Sequence, residues 1–186
     1  EKGIKHFIET VEKGSARDEI GFVTKSGEDR FWSVAAVKLS DTRFLGFVKD
    51  ITERKKSKQT LQKISAQLQA IFDYSPLLIS ELSLNGKYIN TNKATAELIK
   101  KPVNEIIGKT FAQLLSQETS EVFMKRITEV KKSKQALMIE DKLNLSGGER
   151  NYLTTLFPLF DLNGKLSSIG SIAQDITELK KTENAL

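Results

Sequence analysis

The chain has 186 residues, 39% of them hydrophobic and 28% charged, with a formal net charge of +5 and no cysteine. That balance suits a globular protein with a real core, and the missing thiols exclude disulfides, cysteine metal sites and thiol chemistry. No apolar run approaches the roughly 18 residues needed to span a bilayer and no secretory signal stands at Glu1, so a cytoplasmic protein without direct membrane contact is expected. The sequence starts without an initiator Met, as an excerpt of a longer protein would.

In chain order, Ile4, Phe7, Ile8 and Val11 make an apolar stripe at helical spacing. Ser26 to Arg30 reads as a turn, and Phe31 to Leu39 and Arg43 to Ile51 as strands. Asp50-Ile51-Thr52-Glu53 closes the last strand and opens a charged helix; an Asp with a Glu three residues on is a capping-box pattern. Neither Gly nor Pro intervenes before Pro76, so Thr52 to about Phe72 is predicted as one helix of roughly 30 Å. Along it Leu61, Ile64, Leu68 and Ile71 fall at intervals of three, four and three, the spacing of a coiled-coil seam.

Leu77 to Leu84 and Lys87 to Asn90 are predicted strands joined by Asn85-Gly86, two residues that tolerate positive φ. Asn90, Thr91 and Asn92 offer caps for a short helix carrying Ala94, Ala96, Leu98 and Ile99. Pro102 starts a helical piece, Val103 to Ile107, that Gly108 stops, and Phe111, Leu114 and Leu115 lie on a further turn. Val122, Phe123, Ile127 and Val130 mark an amphipathic helix from Gln117 to about Lys132. Three strands follow, about Ala136 to Leu145, Asn151 to Phe160 and Leu166 to Ile176, turned by Ser146-Gly147-Gly148 and by Asn163-Gly164. The class is α+β with an antiparallel sheet.

The tetrapeptide recurs as Asp175-Ile176-Thr177-Glu178, 125 residues after its first appearance, about the length of a small domain. Ile8 to Val11 lines up with Ile127 to Val130, and Ser26 to Arg30 with Ser146 to Arg150, whereas nothing before Glu1 matches the first strands of the later copy. The expected domains are therefore 1–52, the C-terminal half of a first unit; 53–73, a helical linker; 74–177, a complete second unit; and 178–186, the start of an output helix. Roughly 50 residues of the first unit would precede Glu1 on this reading.

These motifs resemble the PAS (Per-Arnt-Sim) sensory family, in the tandem form found in prokaryotic signalling proteins. The resemblance rests on Asn85-Gly86-Lys87-Tyr88-Ile89-Asn90, on Asn92 followed by Ala94 and Ala96, and on Pro102 through Gly108. It continues in Gly147 to Arg150, Pro158-Leu159, Asn163-Gly164-Lys165 and Asp175-Ile176-Thr177. It implies a PAS fold: a five-stranded antiparallel sheet in the order 2-1-5-4-3, with helices over one face and a ligand space beneath them. It further implies a module that senses a small ligand or relays a signal through helical linkers to an effector such as a sensor histidine kinase or diguanylate cyclase. A ligand-free dimerisation module is the alternative.

No cofactor is predicted. Flavin-cysteinyl and thioester-linked chromophores need a Cys; His6 is the only His, so histidine-ligated haem is closed to the complete unit and unlooked-for elsewhere. Alternation along Asn151 to Leu159 sends Tyr152, Thr154 and Leu156 to one face and Leu153, Thr155 and Phe157 to the other. By resemblance the first set faces the pocket with Tyr88, Asn92, Phe123 and Ile127, either binding a ligand or filling a core with hydroxyls bonded locally. Leu153 and Phe157 are apolar on the outer face, which calls for a covering helix or second subunit. Leu61, Ile64, Leu68 and Ile71 would pack on their own domain or along the axis of a homodimer. Asp50, Thr52, Asp175 and Thr177 are the candidate couplers between sheet and helix.

Trp32, Val34 and Ala36 would lie on a bare inner face of the partial unit, and a shield over them is expected. The basic runs Arg54 to Lys58 and Lys131 to Lys134 lack interleaved aromatics, which reads as solvated helix surface and no nucleic-acid contact. No P-loop, nucleophile elbow or metal-ligand spacing is present, so no enzymatic role and no metal are expected.

Overall fold

The computed structural model describes residues 2–145 and 148–184. They divide into two compact units, Glu1–Gln67 and Leu68–Leu186, the division falling inside one helix.

In the first unit α1 (Lys2–Lys13) precedes β1 (Ser15–Val23), β2 (Asp29–Ser40) and β3 (Arg43–Asp50), an antiparallel sheet in the order β1-β2-β3. The sequence pattern does not announce β1, because Arg17, Asp18, Glu19 and Gly21 are weak strand formers. Its ladder with β2, from Ser15 opposite Val37 to Val23 opposite Asp29, fixes it. From α1 Phe7 meets Phe44 of β3, ring centroids 5.5 Å apart. The expected shield over Trp32, Val34 and Ala36 is incomplete. Val34 and Ala36 are half-buried, but Trp32 is 42% exposed, its ring edge-on to Phe22 at 4.6 Å. Every residue of β3 is exposed, since this strand has one ladder neighbour and only part of one face is packed.

The helix α2 (Thr52–Tyr74) runs 23 residues without interruption. Its Leu61, Ile64, Leu68 and Ile71 remain 47–69% exposed.

The second unit holds β4 (Leu78–Ser83), β5 (Tyr88–Thr91), α3 (Lys93–Ile99), α4 (Val103–Ile106), α5 (Phe111–Leu114) and α6 (Gln117–Ser133). After these come β6 (Leu137–Leu145), β7 (Gly148–Phe160), β8 (Leu166–Asp175) and α7 (Thr177–Asn184). The five strands pair in the order β5-β4-β8-β7-β6, all antiparallel, which is the expected 2-1-5-4-3. Of the predicted turn after β6, Ser146 and Gly147 lie outside the described residues. Gly86 turns the first hairpin at φ +77°, the left-handed region that favours glycine, and a Cβ there would also press on the Met124 side chain of α6. One core joins sheet to helices: Leu82, Tyr88, Ala96, Ile106, Phe111, Ile127, Val130, Leu156 and Ile169.

On the outer face Leu153 and Phe157 are half-buried. The sheet itself covers part of the apolar surface, because Phe157 lies over its ladder partner Gly170, whose absent Cβ would fall 2.3 Å from the ring. Near Leu153, Lys180 of α7 reaches Glu140, 2.8 Å away, and Glu140 is the ladder partner of Leu153.

Candidate functional site

Between the inner face of the second sheet and α3, α5 and α6 lies a cavity of about 240 Å³. The strands supply Ser80, Leu82, Tyr88, Tyr152 and Thr154, and the helices supply Thr95, Ile99, Phe111 and Phe123. Alternation along β7 places Tyr152 and Thr154 inward, and the ladder sets Thr154 opposite Ala173 of β8, another wall residue. Tyr88, Phe111 and Phe123 form an aromatic wall, with centroids 5.4 Å and then 5.1 Å apart.

The polar wall atoms differ in how they are satisfied. Ser80 Oγ bonds Thr91 Oγ1 at 2.8 Å, Ser116 Oγ bonds Thr119 Oγ1 at 2.9 Å, and Thr95 donates to Asn92 Oδ1 at 3.0 Å. Thr154 Oγ1 is buried without a hydrogen-bond partner, the only such side-chain atom among the described residues. Burial pushes the Tyr88 hydroxyl's pKa up. Burial, then the Asp175 carboxylate, raises that of Tyr152 against the opposing pull of Arg150. Both phenols are therefore neutral donors at neutral pH.

Tyr88, Phe123, Tyr152 and Thr154 thus meet at the cavity, whereas Asn92, Ile127 and Leu156 do not line it. Ile127 and Leu156 belong to the packed core. Asn92 is a hydrogen-bond hub: Nδ2 donates to Phe72 O and Leu77 O at 3.1 and 2.8 Å, and Oδ1 accepts from Ile79 N and Thr95 N, each at 3.1 Å. Sequence reading missed Thr95, Phe111, Leu143 and Ser171 on the wall; the helical spacing of Phe111, Leu114 and Leu115 was the available signal. His6 lies on α1, and its side chain is outside the described residues. No group of His, Asp and Glu suited to a metal occurs among the described residues.

One side of the cavity is clasped by an ion pair. Arg126 of α6 binds Asp141 of β6 in a two-toothed fork, Nη1 to Oδ2 at 2.5 Å and Nη2 to Oδ1, with both side chains nearly buried. The Arg126 guanidinium also lies over Phe123, 5.6 Å from the ring centroid, so the clasp backs a wall residue.

The two strand-to-helix junctions are built alike. Asp50 Oδ1 accepts from Thr52 N at 2.8 Å, Thr52 Oγ1 accepts from Phe31 N at 2.9 Å, and Ile51 N donates to Phe31 O at 2.9 Å. In the second unit Asp175 Oδ1 accepts from Thr177 N and Thr177 Oγ1 from Asn151 N, both at 2.9 Å, and Ile176 N donates to Asn151 O at 2.8 Å. The helices begin one residue later than a capping box requires. Ile51 O and Ile176 O accept the first helical bonds, so the Asp precedes the cap and neither Glu53 nor Glu178 reaches back to it.

Each junction carries two further pairs that the sequence reading missed. Arg150 holds Asp175 at 2.8 Å, and Arg30 stands 3.7 Å from Asp50. Lys55 pairs with Glu19 and Lys180 with Glu140, each linking a helix to the edge strand of its own sheet. Lys55 and Lys180 keep the 125-residue spacing of the tetrapeptides, which was a legible signal. Burial pushes the Asp175 carboxyl up, but the Thr177 bonds and Arg150 outweigh it and hold its pKa below the ordinary carboxylate value. Since the folded-state pKa is the lower one, this contribution is complete above the ordinary carboxylate range and fades as pH falls through the lowered value.

The PAS fold family matches residues 72–181, so the chain belongs to it. The family is a sensory and regulatory module of signalling proteins. Comparison with curated proteins finds no match. Among solved structures the chain is similar to VqmA of Vibrio cholerae in a ligand–DNA complex, with 22% identity and TM-score 0.55, covering 62% of this chain and 50% of that one. It is also similar to a PAS domain from Colwellia psychrerythraea, with 21% identity, TM-score 0.53 and coverage of 62% and 98%. A third is the PAS domain of BvgS from Bordetella pertussis, with 18% identity, TM-score 0.53 and coverage of 67% and 99%. At such identities the likeness is one of fold. The expectation of no nucleic-acid connection is corrected: VqmA is a receptor whose structure includes DNA, so this fold occurs in chains that bind it. The absence of a basic, aromatic surface described only this segment and gave no ground for a broader exclusion. No helix of the described residues is long and apolar enough to cross a membrane.

Proposed function

We propose that the chain is a sensory relay. The second unit responds to a small ligand in its cavity or to a shift received through α2, and α7 carries the change toward an effector outside this sequence. The first unit is read as the C-terminal half of a preceding PAS domain in tandem. The observation that carries the proposal is the duplicated junction, in which the same three hydrogen bonds tie the start of a helix to the neighbouring strand. A helix fastened this way follows the strand when the sheet shifts, and its equilibrium is biased by whatever the cavity holds. The effector is read as a kinase, a cyclase or a DNA-binding module, the last because VqmA, similar in fold, is found in a complex with DNA.

Asp175→Ala and Thr177→Val, made in the intact protein, are expected to uncouple output from signal while costing about 1 kcal/mol of stability each. Effector activity with and without signal, beside thermal unfolding, checks this. A fully preserved response in both folded variants would overturn the relay.

A second reading, self-association along α2, has its own observation in the exposed seam of Leu61, Ile64, Leu68 and Ile71. Leu61→Glu with Leu68→Glu is expected to give a monomer by sedimentation at concentrations where the unaltered chain is dimeric. A monomeric unaltered chain would remove this reading.

A further inference from the structure

The chemistry of the cavity narrows what it binds, taking as given the reading of the second unit as a sensor. We infer that its ligand is a compact, uncharged, single-ring molecule bearing one hydroxyl or carbonyl group, which pairs with Thr154 Oγ1. Three observations lead there. No residue lining the cavity carries a charge, and Arg126 and Asp141, the nearly buried pair beside Phe123, are engaged with each other. An ionised ligand would therefore lose its hydration with nothing in return. The volume of about 240 Å³ holds about eight water-sized groups at roughly 30 Å³ each, which is the size of one substituted ring. The aromatic wall of Tyr88, Phe111 and Phe123 gives such a ring faces and edges to pack on.

The orienting group is set by the unpartnered hydroxyl. Thr154 is 2% exposed, and its Oγ1 alone among buried side-chain atoms of the described residues lacks a partner. Ser80, Ser116 and Thr95, on the same walls, are satisfied within the protein. An orphaned buried hydroxyl costs about 1–3 kcal/mol, and a ligand oxygen recovers that bond once a small shift of the wall uncovers the buried Oγ1.

The test is a titration of the whole 186-residue chain, followed by methyl NMR, with benzyl alcohol, toluene, benzoate and benzylammonium as probes. Benzyl alcohol is expected to bind about fivefold more tightly than toluene, the worth of one net hydrogen bond. Benzoate and benzylammonium are expected to bind at least about a hundredfold more weakly than the alcohol. Thr154→Val should erase the preference for the alcohol over toluene, and Thr154→Ser should restore it. Because the hydroxyl bonds nothing in the protein, Thr154→Val should leave the ligand-free fold equally or more stable, unlike loss of a structural hydrogen bond. Either ion binding as well as the alcohol would overturn the uncharged class. An alcohol preference that survives Thr154→Val would overturn the role of Thr154. Absence of binding by every probe would overturn the inference whole, while the Asp175 and Thr177 variants judge the relay separately.

Discussion

Asp141→Ala is expected to destabilise the second unit by about 3–5 kcal/mol, among the largest effects available to a single substitution in this chain. The carboxylate and the Arg126 guanidinium are nearly buried, 10% and 13% exposed, and their forked bond joins α6 to β6. Removing the acid leaves a nearly buried guanidinium without its counter-charge. The strand is vulnerable as well. As an edge of the sheet, β6 has only β7 as ladder neighbour, so its approach to α6 depends on side chains. Asp141 faces inward with its ladder partner Tyr152, and Leu143, two residues along on the same face, is part of the cavity wall. Loss of the clasp should therefore loosen the cavity as well as the fold. Denaturant unfolding checks the first effect and weakened benzyl alcohol binding the second. The paired replacement Arg126→Met with Asp141→Leu should recover most of the stability, since the cost lies in the stranded charge more than in the lost pair. A loss below about 1 kcal/mol for Asp141→Ala, the range of exposed pairs, would show that the clasp is solvated.

Much of this architecture was legible because the relevant periodicities are local. The apolar spacing of Val122, Phe123, Ile127 and Val130 marks α6, and Asn85-Gly86 marks the first hairpin. Alternation through Tyr152, Thr154 and Leu156 assigns the inner face of β7. Periodicity tells which side of an element faces inward and stops there. Leu156 and Thr154 have the same inward address, yet one is packed in the core and the other opens on a cavity. That difference depends on how far α3 and α6 stand from the sheet, a sum over many distant contacts. The junctions show the same boundary. The repeated tetrapeptide was visible, but the partners Phe31 and Asn151 come from strands 21 and 26 residues away from their threonines. β1 was missed because its composition argues for a loop and only its ladder with β2 decides otherwise.

Asn92→Ala should cost about 3–5 kcal/mol, summing orphaned groups at roughly 1–3 kcal/mol each and allowing for incomplete additivity. Asn92 is wholly buried, and its amide serves three elements at once. Its Nδ2 caps the last turn of α2 at Phe72 O, one of the terminal carbonyls a helix cannot satisfy by itself. The same nitrogen holds Leu77 O just before β4, while Oδ1 takes Ile79 N of β4 and caps α3 through Thr95 N. Alanine leaves these part-buried or buried groups without their protein partner. Asn92→Asp tests the two halves of the amide. A carboxylate still accepts from Ile79 and Thr95 but donates nothing, and it stands against two carbonyl oxygens, so it should be no better tolerated than alanine. The functional consequence is specific to the proposed relay, in which a shift in the linker would enter the second unit at the end of α2. Amide exchange at Gln69 to Tyr74 is expected to quicken in Asn92→Ala well before the sheet opens, as the helix end frays from β4. If exchange there changes only together with global unfolding, Asn92 is a core residue alone, and the proposed relay needs another route into the sheet.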